Sequence, residues 1–309
     1  MATPSQPIQG GSSPRKRCFA LRWYVWLSVA AVAYGVAFAM HWDDRGLLWI
    51  EERFASIPER QSSIWLPDYR VDIDAKVLPG MEGDEASDLA YDPQSKTLFA
   101  VMGHNPFLVE LTREGDVLRK IPLVGWSNPE GVAVLDGGKL AIVDERAHMV
   151  TIVTLAAETT TLNIADFPQF DLGPSANKNK AFEAIAWDPK AQQLLLGEER
   201  PPALFTWKSN GSGQLTGDKQ PVSAEELDLR NLSALTIEPR TGHTLALSAD
   251  SHMLLELDEN GESVSFISLL GGFNGLKKTI PRAEGVAMDE QGNLYLVSEP
   301  NLFYRFRKP

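Results

Sequence analysis

Residues 282–300, RAEGVAMDEQGNLYLVSEP, decide the fold of this chain, because the same pattern recurs several times upstream. The stretch contains two short runs of alternating apolar and polar residues, separated by a turn at Gly292-Asn293. Such a pattern is typical of two antiparallel β-strands. Two glutamates, Glu284 and Glu299, lie at the edges of these otherwise apolar runs, and their positions become informative when the copies are aligned.

The pattern occurs five times, and its copies open at Ser87, Glu130, Glu183, Ser233 and Glu284. Successive copies therefore start 43, 53, 50 and 51 residues apart. Four-stranded propeller blades repeat at about 40–50 residues. Two further strand-like runs follow in most copies, so we predict an all-β, five-bladed β-propeller. A degenerate sixth blade within residues 203–231 is the alternative.

The fifth copy ends before its outer strand, because only three residues follow the run LFYRF at residues 302–306. The strand-like run YRVDIDAKVL at residues 69–78 precedes the first copy and has no blade of its own. We predict that this N-terminal strand completes the last blade and closes the ring, since closure removes exposed sheet edges.

An apolar segment at residues 19–40 precedes the repeats and is long enough to span a bilayer. Arg15, Lys16 and Arg17 lie just before it, which places the N-terminus in the cytoplasm and exports the rest of the chain. A cleaved signal peptide is the alternative, because residues 37–39 read Ala-Phe-Ala.

These features divide the chain into four parts. We predict a basic cytoplasmic N-terminus at residues 1–18, a transmembrane signal-anchor helix at 19–40, a juxtamembrane stalk at 41–66 and the propeller domain at 67–309. The protein would then be a single-pass protein of the bacterial inner membrane, with its propeller in the periplasm.

The exported part of the chain is acidic. Residues 1–40 contain four arginine or lysine residues and no acidic residue, which leaves 25 basic against 41 acidic residues and a charge of about −16. The phosphates of nucleic acid require a basic surface, so we expect no nucleic-acid partner. An unidentified small molecule or a periplasmic protein is the expected partner, and a cation fits the charge.

Two sets of aligned residues should meet at one mouth of the central channel. The first set opens the inner strands and comprises Ser87, Glu130, Glu183, Ser233 and Glu284. The second set ends the following strands and comprises Gly103, Glu145, Glu199, Asp250 and Glu299. The second strand runs back antiparallel to the first, so its end returns beside the start of the inner strand.

Carboxylates that face one narrow channel repel one another. Two such charges about 4 Å apart cost on the order of 4 kcal/mol at an effective dielectric constant of about 20. The site can respond by protonation, by pairing with arginine or by binding a cation. Hard oxygen donors of this kind suit Ca²⁺ better than they suit zinc.

We therefore predict a calcium site. Its candidate ligands are Glu130, Glu183, Glu284, Glu299 and Asp250. The other residues expected at the channel mouth are Ser87, Ser233, Glu145, Glu199, Arg146 and Arg200. The alternative is a metal-free network of ion pairs, because Arg146 and Arg200 directly follow Glu145 and Glu199.

Several strings in the chain resemble the SdiA-regulated family of bacterial membrane-anchored propellers. They include SDLAYDPQSKTLFAV at residues 87–101, FEAIAWD at 182–188 and AEGVAMDEQGNLYLVSEPNLFYRF at 283–306. The resemblance runs from about Tyr69 to the C-terminus. It implies a calcium-associated β-propeller outside the inner membrane, and it implies no particular reaction. MGHNPF at residues 102–107 departs from the family pattern, so the resemblance gives His104 no role.

Three functions are open at this point. The first is a binding module that uses calcium at the channel mouth. The second is a calcium-dependent hydrolase of esters, lactones or phosphates, in which His104, His148 or His252 would act as a general base. The third is a scaffold without a metal.

Overall fold

The computed structural model describes residues 23–39, 42–173, 182–210, 214–222, 227 and 229–309. It contains two units, residues 1–43 and residues 44–309. In the first unit, helix α1 covers Trp23–Ala39. None of the helices within the described ranges combines the length and the apolarity needed to cross a membrane. The predicted cytoplasmic segment 1–18 and both ends of the predicted anchor 19–40 lie outside the described residues.

The described part of residues 44–309 forms five antiparallel sheets arranged as five blades, which confirms the five-bladed propeller. The first blade consists of β2 (Ala86–Asp92), β3 (Thr97–Met102), β4 (Phe107–Leu111) and β5 (Val117–Val124). The second consists of β6 (Pro129–Val134), β7 (Lys139–Asp144), β8 (Met149–Thr154) and β10 (Gln169–Asp171). A short strand, β9 (Leu162–Asn163), pairs parallel to β5.

The remaining blades follow the same order from the channel outward. The third blade consists of β11 (Phe182–Asp188), β12 (Gln193–Glu198), β13 (Ala203–Lys208) and β14 (Gln220–Pro221). The fourth consists of β15 (Ala234–Ile237), β16 (Thr244–Ser248), β17 (Met253–Leu257) and β18 (Ser263–Ser268). The fifth contains β19 (Ala283–Met288), β20 (Leu294–Ser298) and β21 (Leu302–Arg307). The stretch 203–231 thus supplies the outer strands of the third blade and not a sixth blade.

The outer strand of the fifth blade is β1 (Arg70–Val77), which pairs antiparallel with β21. Val77 lies opposite Leu302 and Val71 lies opposite Phe306. The chain therefore contributes to this blade from both ends of the propeller domain.

Acidic residues stabilise the hairpins that join the inner strands to the second strands. The Asp188 carboxylate accepts hydrogen bonds from the backbone N–H groups of Lys190 and Ala191, each at 2.9 Å. Asp289 accepts in the same way from Gln291 and Asn293, at 3.0 and 2.8 Å. Hydrogen bonds that a carboxylate accepts from backbone N–H groups two to four residues later in the chain stabilise a tight turn. They explain why the copies carry Asp or Glu at the turn.

The hydrophobic core is divided among the interfaces between neighbouring blades. One cluster joins Leu89 of the first blade to Ala287 and Phe303 of the fifth, so the last blade packs against the first. Equivalent clusters lie between each other pair of adjacent blades. The apolar residues that alternate along each strand are therefore buried on both faces of a blade.

The segment before β1 packs on the fourth blade. It contains α2 (Trp42–Phe54), α3 (Ile57–Ser62) and a 3-10 turn at Leu66–Asp68. The fully buried carboxylate of Glu256 accepts hydrogen bonds from the backbone N–H groups of Ile64 and Trp65, at 2.7 and 3.0 Å. The Glu52 carboxylate accepts one from the N–H of Phe266, at 2.9 Å. Part of the segment predicted as a stalk thus contacts the propeller.

Candidate functional site

The inner strands are interrupted at the residues that open the repeats. Where Ala86 lies opposite Met102 and Asp88 opposite Val101, Ser87 is the extra residue of a β-bulge. The same irregularity occurs in the second, third and fifth blades, at Glu130, Glu183 and Glu284. A bulge re-aims the side chain of its extra residue, so the opening residues are set apart from the regular alternation of their strands.

These residues line a cavity of about 420 Å³ at one mouth of the channel, which we call the acidic cup. The residues lining it are Glu85, Ser87, Gly103, His104, Ser127, Asn128, Glu130, Glu145, Arg146, Glu183, Glu199, Ser233, Arg282, Glu284 and Glu299. Seven glutamates thus meet two arginines and one histidine. The two predicted sets therefore come together at one end of the channel, with the exception of Asp250. Arg146 lines the cup as expected, whereas Arg200 is not among its lining residues.

One wall of the cup carries a hydrogen-bonded amide. The Asn128 side-chain amide donates to Glu130 at 2.6 Å and to Glu145 at 3.1 Å. Gly103 faces the same wall, and a Cβ at this position would lie 2.8 Å from the Ser87 hydroxyl and 3.2 Å from Glu130. A side chain at position 103, where the other blades carry a carboxylate, would therefore displace the Ser87 hydroxyl and crowd the Glu130 carboxylate.

The opposite wall is held by Arg282. Its Nε lies 3.1 Å from the Glu284 carboxylate, and its Nη1 lies 3.1 Å from the Glu299 carboxylate. The arginine side chain is itself largely exposed, with 68% of its surface accessible. Glu299 has no arginine beside it in the sequence, and Arg282 reaches it across the strand pair.

Asp250 lies apart from the cup and pairs with Arg200, at 2.5 Å between Nη2 and Oδ2. The same guanidinium lies 3.2 Å from the buried carboxylate of Glu199. Arg200 thus joins the third blade to the fourth. The residue predicted as a ligand is in this structure part of an ion-pair network between blades.

Burial raises the pKa of Glu130 to about 8. The negative charges of Glu145 and Glu284 add to this effect, while hydrogen bonds from Ser87 and Asn128 oppose it. Desolvation and like charges both disfavour the ionised form of Glu130. The hydrogen bonds from Ser87 and Asn128 are not sufficient to offset these two effects.

The other two opening glutamates behave similarly. Burial raises the pKa of Glu183 to about 10, with further contributions from neighbouring carboxylates, of which Glu199 is the largest. Burial also raises the pKa of Glu284 to about 7, although the Ser233 hydroxyl and Arg282 stabilise its ionised form. Within the described residues, the Glu183 carboxylate has no hydrogen-bond or ion-pair partner, which agrees with its larger shift.

Beneath the cup, the inner strands approach one another closely. The fully buried Asp88 carboxylate accepts hydrogen bonds from the N–H groups of Leu89 and Val132, at 2.7 and 2.8 Å. A Cβ on Gly131 would lie 2.3 Å from the Glu183 carbonyl oxygen, and one on Gly285 would lie 2.6 Å from the Leu89 nitrogen. Glycine at these positions allows the strands to form the floor of the cup.

The carboxylates of the cup are oxygen donors of the kind that hard cations prefer. Their positions in the structure do not form one common coordination shell. Across the described ranges, no three Asp, Glu, His or Cys side chains are arranged so that they could hold one metal ion together. Burial raises the pKa values of Glu130, Glu183 and Glu284, and of these three Glu284 has Arg282 beside it. A cation in the cup would stabilise the ionised forms of these carboxylates.

Two asparagines that donate hydrogen bonds to residues of the cup were not predicted from the sequence. Asn128 and Asn231 both lie two residues before an opening residue, and Asn231 donates to Ser233 at 3.0 Å and to Glu199 at 3.4 Å. The sequence does show an asparagine two residues before the opening residue in two of the five copies. This position lies outside the repeat as defined from its opening residue, so the repeat comparison does not include it.

A family model supports the assignment made from the repeats. The SdiA-regulated family matches residues 61–307, which include all five blades and β1. The chain belongs to the SdiA-regulated family. The resemblance seen in the sequence is therefore confirmed over most of the chain.

Two solved structures are similar to this SdiA-regulated protein in fold. Glutaminyl cyclase from Myxococcus xanthus is 14% identical with a TM-score of 0.53, over 77% of this chain and 95% of that chain. Regucalcin from Agrobacterium tumefaciens, a calcium-binding protein, is 12% identical with a TM-score of 0.50, over 75% of this chain and 93% of that chain. At these identities, the likeness concerns the fold alone.

Proposed function

We propose that this protein is a binding module that binds a cation, preferentially Ca²⁺, in the acidic cup. It would bind a small molecule or a periplasmic protein at the same mouth of the channel. The observation that supports this most strongly is the charge of the cup, in which seven glutamates face two arginines. Regucalcin shares the fold and is calcium-binding, but a fold does not transfer a ligand. The proposal rests on the side chains of the cup.

A cation accounts for the cup better than arginine pairing does. Arg282 compensates Glu284 and Glu299. Among the described residues, Glu130 receives only neutral donors, and its pKa is about 8. A divalent ion would stabilise the ionised forms of Glu130 and Glu183. Ca²⁺ accepts about 6–8 oxygen ligands in flexible geometry, including water, and a cavity of about 420 Å³ has room for water between ion and carboxylates.

The direct test is a thermal melt of the chelator-treated protein, titrated with calcium and separately with magnesium. An ion at a hundredfold excess over its Kd contributes about 2.7 kcal/mol, which raises Tm by several degrees. We expect this rise with calcium in the parent and its loss in the variant carrying Glu130→Gln, Glu183→Gln and Glu284→Gln.

A matched control removes the same charge elsewhere. Glu158, Glu259 and Glu262 have exposed side chains outside the cup, so the triple Gln variant at these sites should keep the calcium response of the parent. Equal responses of both triple variants would show that the cup does not hold the ion, and a flat response in the parent would reject a calcium site.

A calcium-dependent hydrolase is the second candidate, and one observation favours it. His104 lines the cup together with the carboxylates, where an imidazole could act as a general base beside a bound ion. Turnover of ester, lactone or phosphate substrates that requires calcium and is lost in His104→Asn would support this reading. A variant that retains full turnover would remove His104 from the reaction.

We also propose that residues 19–40 anchor the protein in the inner membrane, with the propeller in the periplasm. The support is the apolar run that follows Arg15, Lys16 and Arg17. Extraction of cell membranes at alkaline pH should leave the protein in the membrane fraction, with its intact N-terminus detected by mass spectrometry. A mature N-terminus that begins after Ala39 would instead indicate a cleaved signal peptide.

A further inference from the structure

A second cavity lies at the opposite mouth of the channel and shares no lining residue with the acidic cup. It has a volume of about 270 Å³ and is formed by the later halves of all five inner strands and the turns that follow them. The cup, in contrast, is formed by the beginnings of those strands. The floor formed by Asp88, Gly131 and Gly285 lies between the two sets of lining residues along the strands.

The second cavity, which we call the apolar mouth, is lined by large hydrophobic side chains. Each inner strand carries one, four residues after its opening residue: Tyr91, Val134, Trp187, Ile237 and Met288. The first four of these are only half-buried, although their neighbours in the same strands are mostly buried. Each of these four packs on one side against a core cluster between blades, and its remaining apolar surface faces a concave space. An apolar concave lining is the usual composition of a small-molecule site.

Two aromatic side chains of the apolar mouth carry polar groups that the protein itself holds. The Trp187 Nε1–H donates to Asp136 at 3.0 Å, which fixes the orientation of the indole ring. Burial raises the pKa of Tyr91, and the nearby Glu290 carboxylate adds to this effect. The Tyr91 hydroxyl is shielded, so this side chain presents its ring, and not its hydroxyl, to a bound molecule.

The rim adds negative charge. Asp92, Asp136 and Glu290 line the apolar mouth, and no basic residue lies among the described residues that line it. An anionic ligand would meet these carboxylates without a compensating cation. A neutral or positively charged ligand would not be repelled by these carboxylates.

We propose that the apolar mouth binds a small, ring-containing apolar molecule that is neutral or cationic and that packs against the half-buried side chains of Tyr91, Val134, Trp187 and Ile237. The site is independent of the cation proposed for the cup. The propeller would then bind two chemically different ligands, one at each end of its channel.

A matched pair of fluorescent probes tests both the cavity and its charge preference. N-phenyl-1-naphthylamine is neutral, and 1-anilinonaphthalene-8-sulfonate carries the same rings with an added sulfonate. We expect the full-length protein to bind the neutral probe with a rise in fluorescence, and the anionic probe at least tenfold more weakly. Equal affinities would overturn the charge preference.

Two substitutions fill the cavity from different walls. Val134→Trp and Ile237→Trp should each weaken binding of the neutral probe at least tenfold, while Leu118→Trp, at an exposed site outside the cavity, should leave it unchanged. Thermal melts identify any variant that fails to fold.

Two outcomes of these probe titrations would contradict the proposal. If folded Val134→Trp and Ile237→Trp bind the neutral probe like the parent, the probe lies elsewhere and the apolar mouth is not a ligand site. The triple Gln variant of the cup should bind the neutral probe normally. A loss of probe binding in that variant would overturn the independence of the two sites.

Discussion

The Asp88 carboxylate accepts a hydrogen bond of 2.8 Å from the backbone N–H of Val132, which joins the inner strand of the first blade to that of the second. Burial raises the pKa of Asp88, and the backbone N–H of Val286 in the fifth blade is close enough to oppose this rise. One fully buried side chain on β2 thus contacts the inner strands on both sides of it. This connection lies directly beneath the acidic cup, where the ring of blades closes.

Replacement of Asp88 by alanine should destabilise the propeller strongly. Two buried N–H groups, those of Leu89 and Val132, would lose their acceptor. Each unsatisfied buried donor costs about 1–3 kcal/mol, so we expect a loss of at least about 2 kcal/mol in chemical denaturation. Asp88→Asn keeps one acceptor oxygen and should lose less. A loss below about 1 kcal/mol for Asp88→Ala would contradict this role.

Metal-free protein should become less stable as the pH rises. The pKa values of Glu284, Glu130 and Glu183 are about 7, 8 and 10 in the folded state, against 4.5 for an ordinary glutamate. Above pH 4.5 the folded state therefore binds more protons than the unfolded state, and the free energy of unfolding decreases with pH. Each of these shifts contributes about 2.5–4 kcal/mol between pH 5 and pH 8, so we expect a total decrease on the order of 10 kcal/mol, measured by denaturation in chelator.

Calcium should reduce this dependence, because a bound ion stabilises the carboxylates once they are ionised. The variant with Gln at the three positions should show a flatter profile in chelator, with no calcium effect. A parent protein whose stability rises between pH 5 and pH 8 in chelator would show that the cup glutamates are ionised without a cation.

The repeat spacing was sufficient to predict the five blades and the convergence of the opening residues. It placed Glu130, Glu183 and Glu284 at one height because equivalent positions in a repeat occupy equivalent positions in the ring. The β-bulges at these residues were not predictable, since a bulge changes pairing with a neighbouring strand and leaves the apolar pattern nearly intact. Strand periodicity therefore located the side chains without giving their orientation.

Cross-blade partners were the other feature that the sequence did not reveal. Glu299 and Asp250 lack an adjacent arginine in the chain, yet Arg282 and Arg200 reach them in space. Similarly, Glu256 stands in an alternating strand, and nothing in that pattern indicates that it binds the N–H groups of residues 64 and 65. Such contacts depend on tertiary packing, which a single sequence read strand by strand does not specify.

Arg282 provides a test that separates ion-pair bracing from cation binding. Arg282→Gln removes the cation that contacts Glu284 and Glu299. Because this arginine is largely exposed, the metal-free protein should lose only about 0.2–1 kcal/mol of stability. The cup would also become more negative, and calcium should bind more tightly, by about tenfold in a titration. Arg240→Gln, at an exposed arginine outside the cup, is the control. Weaker calcium binding in Arg282→Gln would contradict a cup in which arginine and calcium compete.

The pairing of β1 with β21 should be required for a stable fifth blade. Ile73→Pro removes an N–H in the middle of β1, opposite Arg305, and proline is poorly tolerated within a paired strand. We expect a loss of at least about 2 kcal/mol and faster proteolysis near β21, because that strand would become an exposed edge. Ile73→Val keeps the backbone donor and the strand preference, so it should lose less than about 1.5 kcal/mol. If Ile73→Pro melts like the parent, β1 does not close the ring.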